Sequence, residues 1–207
     1  MSIKKSALIL IDLQNDFCAG GTLAVPEGEG IIPIANRLQP HFDLVVASKD
    51  WHPKNHKSFA SNHGLEIGEV IELNGTPQVL WPDHCVQNSK GAEFHPHLKT
   101  NLIQHIVYKG IDPEVDSYSA FFDNQKRRST DLEHYLYEQG VSDVYIMGLA
   151  TDYCVKYSCL DAASMKFNVY CIIDGCRGVE LNKGDIEKAI DEIKSCGVRV
   201  IQSKELL

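Results

Sequence analysis

Six short apolar runs, set apart by longer amphipathic stretches, constrain this 207-residue chain more than any other feature. The runs lie at residues 7–11, 44–48, 105–108, 143–148, 169–173 and 198–201, each of strand length and dominated by aliphatic side chains. Helical patterns fall between them at about 30–42, 130–139, 152–166 and 183–195, the second bounded by Ser129 or Thr130 as cap and by Gly140 as stop. Strands that alternate with helices and are apolar on both faces belong in a parallel sheet covered on both sides. The expected fold is therefore α/β: a doubly wound, largely parallel six-stranded sheet. No repeat, low-complexity tract or linker divides residues 1–207, and the length suits one well-cored domain. Residues 51–100 break the alternation with an irregular stretch rich in His, Pro, Gly and Asn. Loops that long are usually functional or disordered.

Charge narrows the classes of partner. With 20 Lys+Arg against 28 Asp+Glu the net charge is -8, which disfavours nucleic acid and anionic lipid. The one basic run, Lys126-Arg127-Arg128, reads as a solvated loop. No apolar run approaches the ~20 residues of a membrane helix. The start, Met1 to Lys5, leads straight into a short strand with an acidic end and lacks the features of a secretory leader. Seven cysteines, an odd number without framework spacing, point with it to free thiols in a reducing cytoplasm.

Chemistry gathers just beyond the strands. Met147-Gly148-Leu149-Ala150-Thr151-Asp152-Tyr153-Cys154 reads as a buried strand, a small-residue turn and a helix start capped by Thr151. Cys154 then sits on a first helical turn, where free N–H groups and the helix dipole favour thiolate. Asp12 follows the first strand and Lys109 ends the third. In a parallel sheet these carboxyl ends share one edge, so the three side chains can converge on one crevice. A carboxylate can move the thiol proton and an ammonium can stabilise the thiolate. Taken singly, Asp12 is equally a loop acceptor, Lys109 a solvated charge and Cys154 buried filler; the joint placement favours the catalytic reading.

A second constellation is Asp50-Trp51-His52, with His56 and Ser58 close behind and His84 downstream in Trp81-Pro82-Asp83-His84-Cys85. One carboxylate and two imidazoles could hold Zn, Mn or Fe while leaving positions open. Asp-x-His alone is more often a surface loop, and only its strand-end position in a His-rich region raises it. The other histidines read as structural or surface residues, and the other cysteines as small packing residues. Gly20-Gly21 and Gly28-x-Gly30 lack the G-x-G-x-x-G spacing of a dinucleotide site.

Taken in order, Ile11-Asp12-Leu13-Gln14-Asn15-Asp16-Phe17, Asp50-Trp51-His52, Trp81-Pro82-Asp83-His84-Cys85-Val86, Tyr108-Lys109-Gly110 and Gly148 to Val155 resemble the bacterial nicotinamidase/pyrazinamidase family of isochorismatase-like cysteine hydrolases. The likeness spans about residues 6–202. The Asp-Lys-Cys set points only to the superfamily; Asp-x-His with a downstream His narrows it. The resemblance implies an isochorismatase-like, Rossmann-like fold and an irregular insertion at about 51–100 that carries a metal site. It implies Asp12 as acid/base, Lys109 as its charged partner and Cys154 as nucleophile. Asp50, His52 and His84 would hold one divalent metal, zinc in most members and manganese or iron in some, with His56 or Ser58 a water-mediated contact. Phe17 and Trp81 would sandwich a pyridine ring, Tyr153 would wall the pocket, and a cis Leu149–Ala150 peptide would aim the Ala150 and Cys154 N–H groups into an oxyanion hole. The implied reaction is hydrolysis of nicotinamide, and of pyrazinamide, to the acid and ammonia through a thioester, in cytoplasmic NAD salvage. The partner is then a small amide, with neither nucleic acid nor membrane; a homo-oligomer is compatible, though no segment marks an interface. Competing readings are a metal-free amidohydrolase acting on carbamoyl or ureido substrates, an isochorismate-type ether hydrolase, and a metal-binding or redox-sensing module without turnover.

Overall fold

The computed structural model describes residues 5–207, so residues 1–4, on which the reading of a leaderless start partly rests, lie outside them. In chain order the elements are β1 (Lys5–Ile11), α1 (Ile32–Leu38), β2 (Leu44–Asp50), β3 (Val70–Leu73), β4 (Thr76–Val79), β5 (His105–Lys109), α2 (Leu132–Glu138), β6 (Val141–Leu149), α3 (Lys156–Ser164), β7 (Asn168–Arg177), α4 (Asp185–Ser195) and β8 (Arg199–Ile201). Six strands form one sheet in the order β5-β2-β1-β6-β7-β8. Every neighbouring pair in it is parallel, so the expectation of a largely parallel sheet understated the case. The chain winds outward from β1 through β2 to β5, then returns to the other side of β1 and winds through β6 and β7 to β8. Right-handed crossovers on such a path lay helices on both faces and open a crevice where the winding reverses, between β1 and β6.

The centre of the sheet is the core. Residues 7–11 of β1 are fully buried, as are Val144 and Ile146 of β6. All of β2 is buried, including the polar Ser48, Lys49 and Asp50 at its carboxyl end. Apolar runs that need shielding on both faces thus occupy the middle, as their lack of alternation predicts.

Four local expectations change. The helix expected at 30–42 is three pieces, a 3-10 turn Gly28–Ile31, α1, and a 3-10 turn Gln39–His41. Pro40 lacks an amide hydrogen and cannot continue α1. The segment after β6 opens with a π-helical turn, Thr151–Val155, before α3 begins. Its cap position is Ala150, not Thr151, and the Ala150 carbonyl accepts the Val155 amide hydrogen at 3.0 Å across five residues. The residue before α2 is Asp131, and Thr130 serves one step earlier, its Oγ1 accepting the Leu132 amide hydrogen at 3.2 Å. Finally, the irregular stretch contains an antiparallel hairpin, β3 paired with β4. Its turn is Asn74-Gly75, both at positive φ (53° and 82°), the two-residue chemistry of a tight hairpin. All seven cysteines are free thiols. Among the described residues no helix is long and apolar enough to cross a membrane.

Candidate active site

Sheet register brings the reactive residues together. Asp50 of β2 pairs with Lys109 of β5, and Ile11 of β1 pairs with Gly148 of β6. Asp12 and the turn carrying Cys154 therefore leave adjacent strands at the crevice, with Asp50 and Lys109 on the next two strands out. Gly148 permits the closeness: at φ 138° a Cβ there would lie 2.1 Å from the Ile11 carbonyl oxygen. Lys109, 1% exposed, is the hub. Its Nζ lies 2.8 Å from Asp12 Oδ2, donates to Asp50 Oδ1 and to the Ser117 carbonyl at 3.1 Å, and reaches Cys154 Sγ at 3.4 Å. Asp12 is oriented by Ser48, whose hydroxyl donates to Asp12 Oδ1 at 2.7 Å. Asp50 is fixed through its backbone by Gln14, which gives its amide hydrogen to the Asp50 carbonyl and accepts the Asp50 amide hydrogen, both at 2.8 Å. The Asp-Leu-Gln sequence after β1 thus supplies an acid and the brace for its neighbour.

Burial dominates the proton affinities. It raises the Asp12 pKa above the ordinary carboxyl value, with Lys109 only partly opposing. It also opposes charge on Asp50, but Lys109 and His52 outweigh it and hold that carboxyl well below the ordinary range. Lys109 is the converse: burial disfavours the ammonium, and Asp12 and Asp50 hold its pKa well above normal. For Cys154 burial again comes first and pushes the thiol well up, against the pull of Lys109. The depressed thiol expected from a helix start is therefore not what the fold builds. A buried sulfur beside two carboxylates keeps its proton until a base removes it, and Asp12, with its raised pKa, is the stronger base for the task.

Asp50, His52 and His84 form a second buried cluster beside the first. His52 Nδ1 donates to the Gly110 carbonyl at 2.9 Å and His84 Nδ1 donates to the Pro82 carbonyl at 2.8 Å. Both Nε2 lone pairs are then left facing Asp50 Oδ2 at 3.5 Å, and His52 Nε2 is a buried atom without a hydrogen-bond partner. Acceptors turned on acceptors repel unless a cation joins them, and two ligands about 2.1 Å from a tetrahedral centre lie about 3.4 Å apart. The donor set fits a divalent metal, and the carbonyls behind it fix the tautomers as the outer shell of such sites does. Gly110 makes room for this: a Cβ there would meet the His52 ring at 2.3 Å. His56 packs its ring 4.3 Å from that of His52. Its Nδ1 accepts the Ser58 amide hydrogen at 3.2 Å and lies 2.7 Å from the Ser58 hydroxyl, so Ser58 is turned to His56 and not to Asp50. Burial, reinforced by His52, lowers the His56 pKa to about 4.

A narrow pocket opens onto Cys154, with Phe17, Trp81, Tyr153, Asp50 and His84 in its walls. Phe17 meets His84 edge-on at 5.5 Å and Trp81 meets Tyr153 at 4.9 Å. Ala150 also lines it, and the Leu149–Ala150 peptide is cis, as expected. Of the anticipated residues, Phe17, Asp50, Trp81, His84, Ala150, Tyr153 and Cys154 border this pocket, whereas Asp12, His52, His56, Ser58 and Lys109 do not and are buried. Sequence reasoning missed Tyr118 and Asp116, which also line it. Tyr118 accepts the Trp81 indole hydrogen at 3.2 Å and so orients that wall. The only available signal was an Asp-Ser-Tyr-Ser string soon after Lys109 in a segment without periodicity.

A family model described as the isochorismatase domain matches residues 6–205. The nicotinamidase of Escherichia coli strain K12 is 52% identical over 195 residues, 92% of each chain. The solved structure of an Acinetobacter baumannii nicotinamidase/pyrazinamidase is 45% identical with a TM-score of 0.96 over the full length of both chains. That of Pyrococcus horikoshii pyrazinamidase in complex with zinc is 40% identical, with a TM-score of 0.78, covering 96% of this chain and 99% of that one. The fold that builds this crevice is thus one that known proteins share over nearly the whole chain, and the chain belongs to the isochorismatase family.

Proposed function

We propose that this protein is a nicotinamidase: a metal-assisted amidohydrolase that converts nicotinamide, and pyrazinamide, to the corresponding acid and ammonia in cytoplasmic NAD salvage. The observation that carries the reading is that Lys109 reaches the pocket-lining Cys154 at 3.4 Å beside a buried Asp50/His52/His84 cluster. The name of the relative that is 52% identical supports the substrate, and the zinc in the 40% identical pyrazinamidase supports a divalent metal.

The chain's residues divide the work. Phe17, Trp81 and Tyr153 enclose a flat ring and leave Cys154 beneath it. Asp50, His52 and His84 would hold the metal, which supplies a Lewis-acidic template for the ring nitrogen. Ligand-type atoms of Asp12 and Cys154 lie within 4.8 Å of each other, close enough for Asp12 to take the thiol proton as sulfur attacks the carboxamide carbon. Lys109 offsets the charge left on sulfur. Backbone N–H groups of Ala150 and Cys154 receive the oxyanion, a donor of this kind being worth roughly 3–4 kcal/mol. Asp12 returns its proton to nitrogen, the C–N bond breaks and ammonia leaves a thioester. A water then gives a proton to Asp12 and attacks the same carbon, the C–S bond breaks, Asp12 returns that proton to the Cys154 sulfur, and the carboxylic acid departs.

Ammonia release from nicotinamide by zinc-loaded, chelator-stripped and Cys154→Ala protein tests this. Turnover only in the loaded, unsubstituted sample is expected. Turnover that survives Cys154→Ala would end the nucleophile assignment, and no turnover in any sample would return the chain to the metal-free amidohydrolases.

A further inference from the structure

The reaction turns a neutral carboxamide into a carboxylate of nearly the same size. Shape cannot tell them apart in one pocket; charge can. Asp116 is the charged pocket-lining residue to which the reaction assigns no role, and it is 4% exposed. Both of its oxygens are occupied by donors: Oδ1 accepts the Ser117 amide hydrogen at 2.8 Å and Oδ2 accepts from Gln78 Nε2 at 3.0 Å. Two donors on the two oxygens are the partners an acceptor-only carboxylate takes. Gln78 is the one buried residue of the β3–β4 hairpin, and its amide also gives to the Val79 carbonyl at 2.8 Å. The hairpin's one buried side chain therefore clamps Asp116.

That charge has no dedicated counter-ion. Among the described residues no Lys or Arg pairs with Asp116, and the nearby Lys109 is taken up by Asp12 and Asp50. The imidazoles of His52 and His56 come within 4.8 Å of it, but the His52 Nδ1 hydrogen goes to the Gly110 carbonyl and His56 Nδ1 takes the Ser58 amide hydrogen. The pocket thus faces its contents with a carboxylate that, among the described residues, no lysine or arginine pairs.

Resting on the nicotinamidase reading, we propose that Asp116, clamped by Gln78 and the Ser117 amide, is a charge filter: it admits neutral carboxamides and weakens binding of the carboxylate product. One unit charge across a pocket of this size changes the affinity of an anion by about tenfold at an effective dielectric constant between those of protein and water. The sign does not depend on the metal, because removing a negative charge favours an anion whatever else the site holds.

The test measures, on zinc-loaded protein, the ratio of the nicotinate inhibition constant to the KM for nicotinamide. Asp116→Asn keeps the side chain's shape and the Ser117 hydrogen bond but loses the one from Gln78, so Gln78→Ala, which loses that bond and keeps the charge, is the structural control: a purely structural role predicts the same change of ratio in both. The filter predicts that the ratio falls about tenfold in Asp116→Asn and in a second neutral variant, Asp116→Ser, while Asp116→Glu keeps the ratio of the unsubstituted protein. Direct titration of nicotinate into Cys154→Ala and Cys154→Ala/Asp116→Asn protein gives the same comparison without turnover. An unchanged ratio in both neutral variants, or an equal fall in Asp116→Glu, overturns the filter and leaves the nicotinamidase reading intact. Failure of the unsubstituted protein to release ammonia from nicotinamide overturns both.

Discussion

Replacing Lys109 with methionine keeps most of the buried stem and removes one charge. In the folded protein that charge meets Asp12 at 2.8 Å, Asp50, the Ser117 carbonyl at 3.1 Å and Cys154 at 3.4 Å. Removing one partner of a buried ion pair costs about 3–5 kcal/mol, because the survivor is left charged and dry. Here two carboxylates depend on one ammonium, so the upper part of that range applies. Against a typical domain stability of about 5–15 kcal/mol the variant stays folded but is clearly weaker. The pH dependence follows from Asp50. Its folded pKa is held well below the unfolded value by Lys109 and His52, so its stabilising contribution is present above the unfolded pKa and is lost only as pH falls through the folded one. In Lys109→Met, burial and mutual repulsion lose the first-ranked opposing charge, both carboxyl pKa values rise relative to those of the unsubstituted protein, and the penalty grows with pH. The stability gap between the two proteins must therefore narrow on acidification from about pH 7 to about pH 4.5. Urea denaturation of chelator-treated samples at both pH values reads it directly. A loss below about 1 kcal/mol at neutral pH, or an equal loss at both, would refute the reasoning.

Gly110→Ala puts a Cβ 2.3 Å from a His52 ring atom at a backbone φ of 64°, so the imidazole has to retreat. Zinc affinity, measured by competition with a chromogenic chelator, should fall roughly 10–100-fold, the usual cost of disturbing a ligand's outer support; wild-type affinity would refute the assigned cluster. Of the seven thiols only Cys196 is exposed, whereas burial, then Glu29, pushes Cys18 up to about 11. A thiol-reactive dye at mild alkaline pH should therefore label Cys196 first, and Cys196→Ser should abolish the fast phase; a fast phase that persists would show another thiol to be open.

The sheet was legible because its strands are apolar on both faces and bounded by turns, a pattern that few other folds tolerate. What escaped was fine structure decided by tertiary contact. The π-helical turn at Thr151–Val155 follows from the Ala150 carbonyl reaching Val155, a choice that helix propensity does not encode. The hairpin is a different kind of miss. Its Asn74-Gly75 turn was a readable signal, but strands of four residues with alternating exposure were submerged in the surrounding His, Pro and Gly.

The site divides in the same way. Asp12, Asp50 and Lys109 could be anticipated because each follows or ends a strand, and parallel register sends strand ends to one edge: Asp50 and Lys109 are register partners. The direction of the Cys154 pKa could not be anticipated, since a helix start suggests a stabilised thiolate whereas burial beside Asp12 and Asp50 decides the matter. Asp116 lies seven positions after Lys109 in a loop with no period, and its clamp, Gln78, lies 38 residues away on a hairpin the pattern did not predict. Sequence periodicity reports which face of an element is buried. It is silent about polar pairs between irregular segments, whose partners are fixed only once the sheet has brought those segments together. Residues that recognise one ligand over a near-identical one are of this second kind, because charge discrimination needs a buried polar group aimed at the pocket and not another apolar position in a strand.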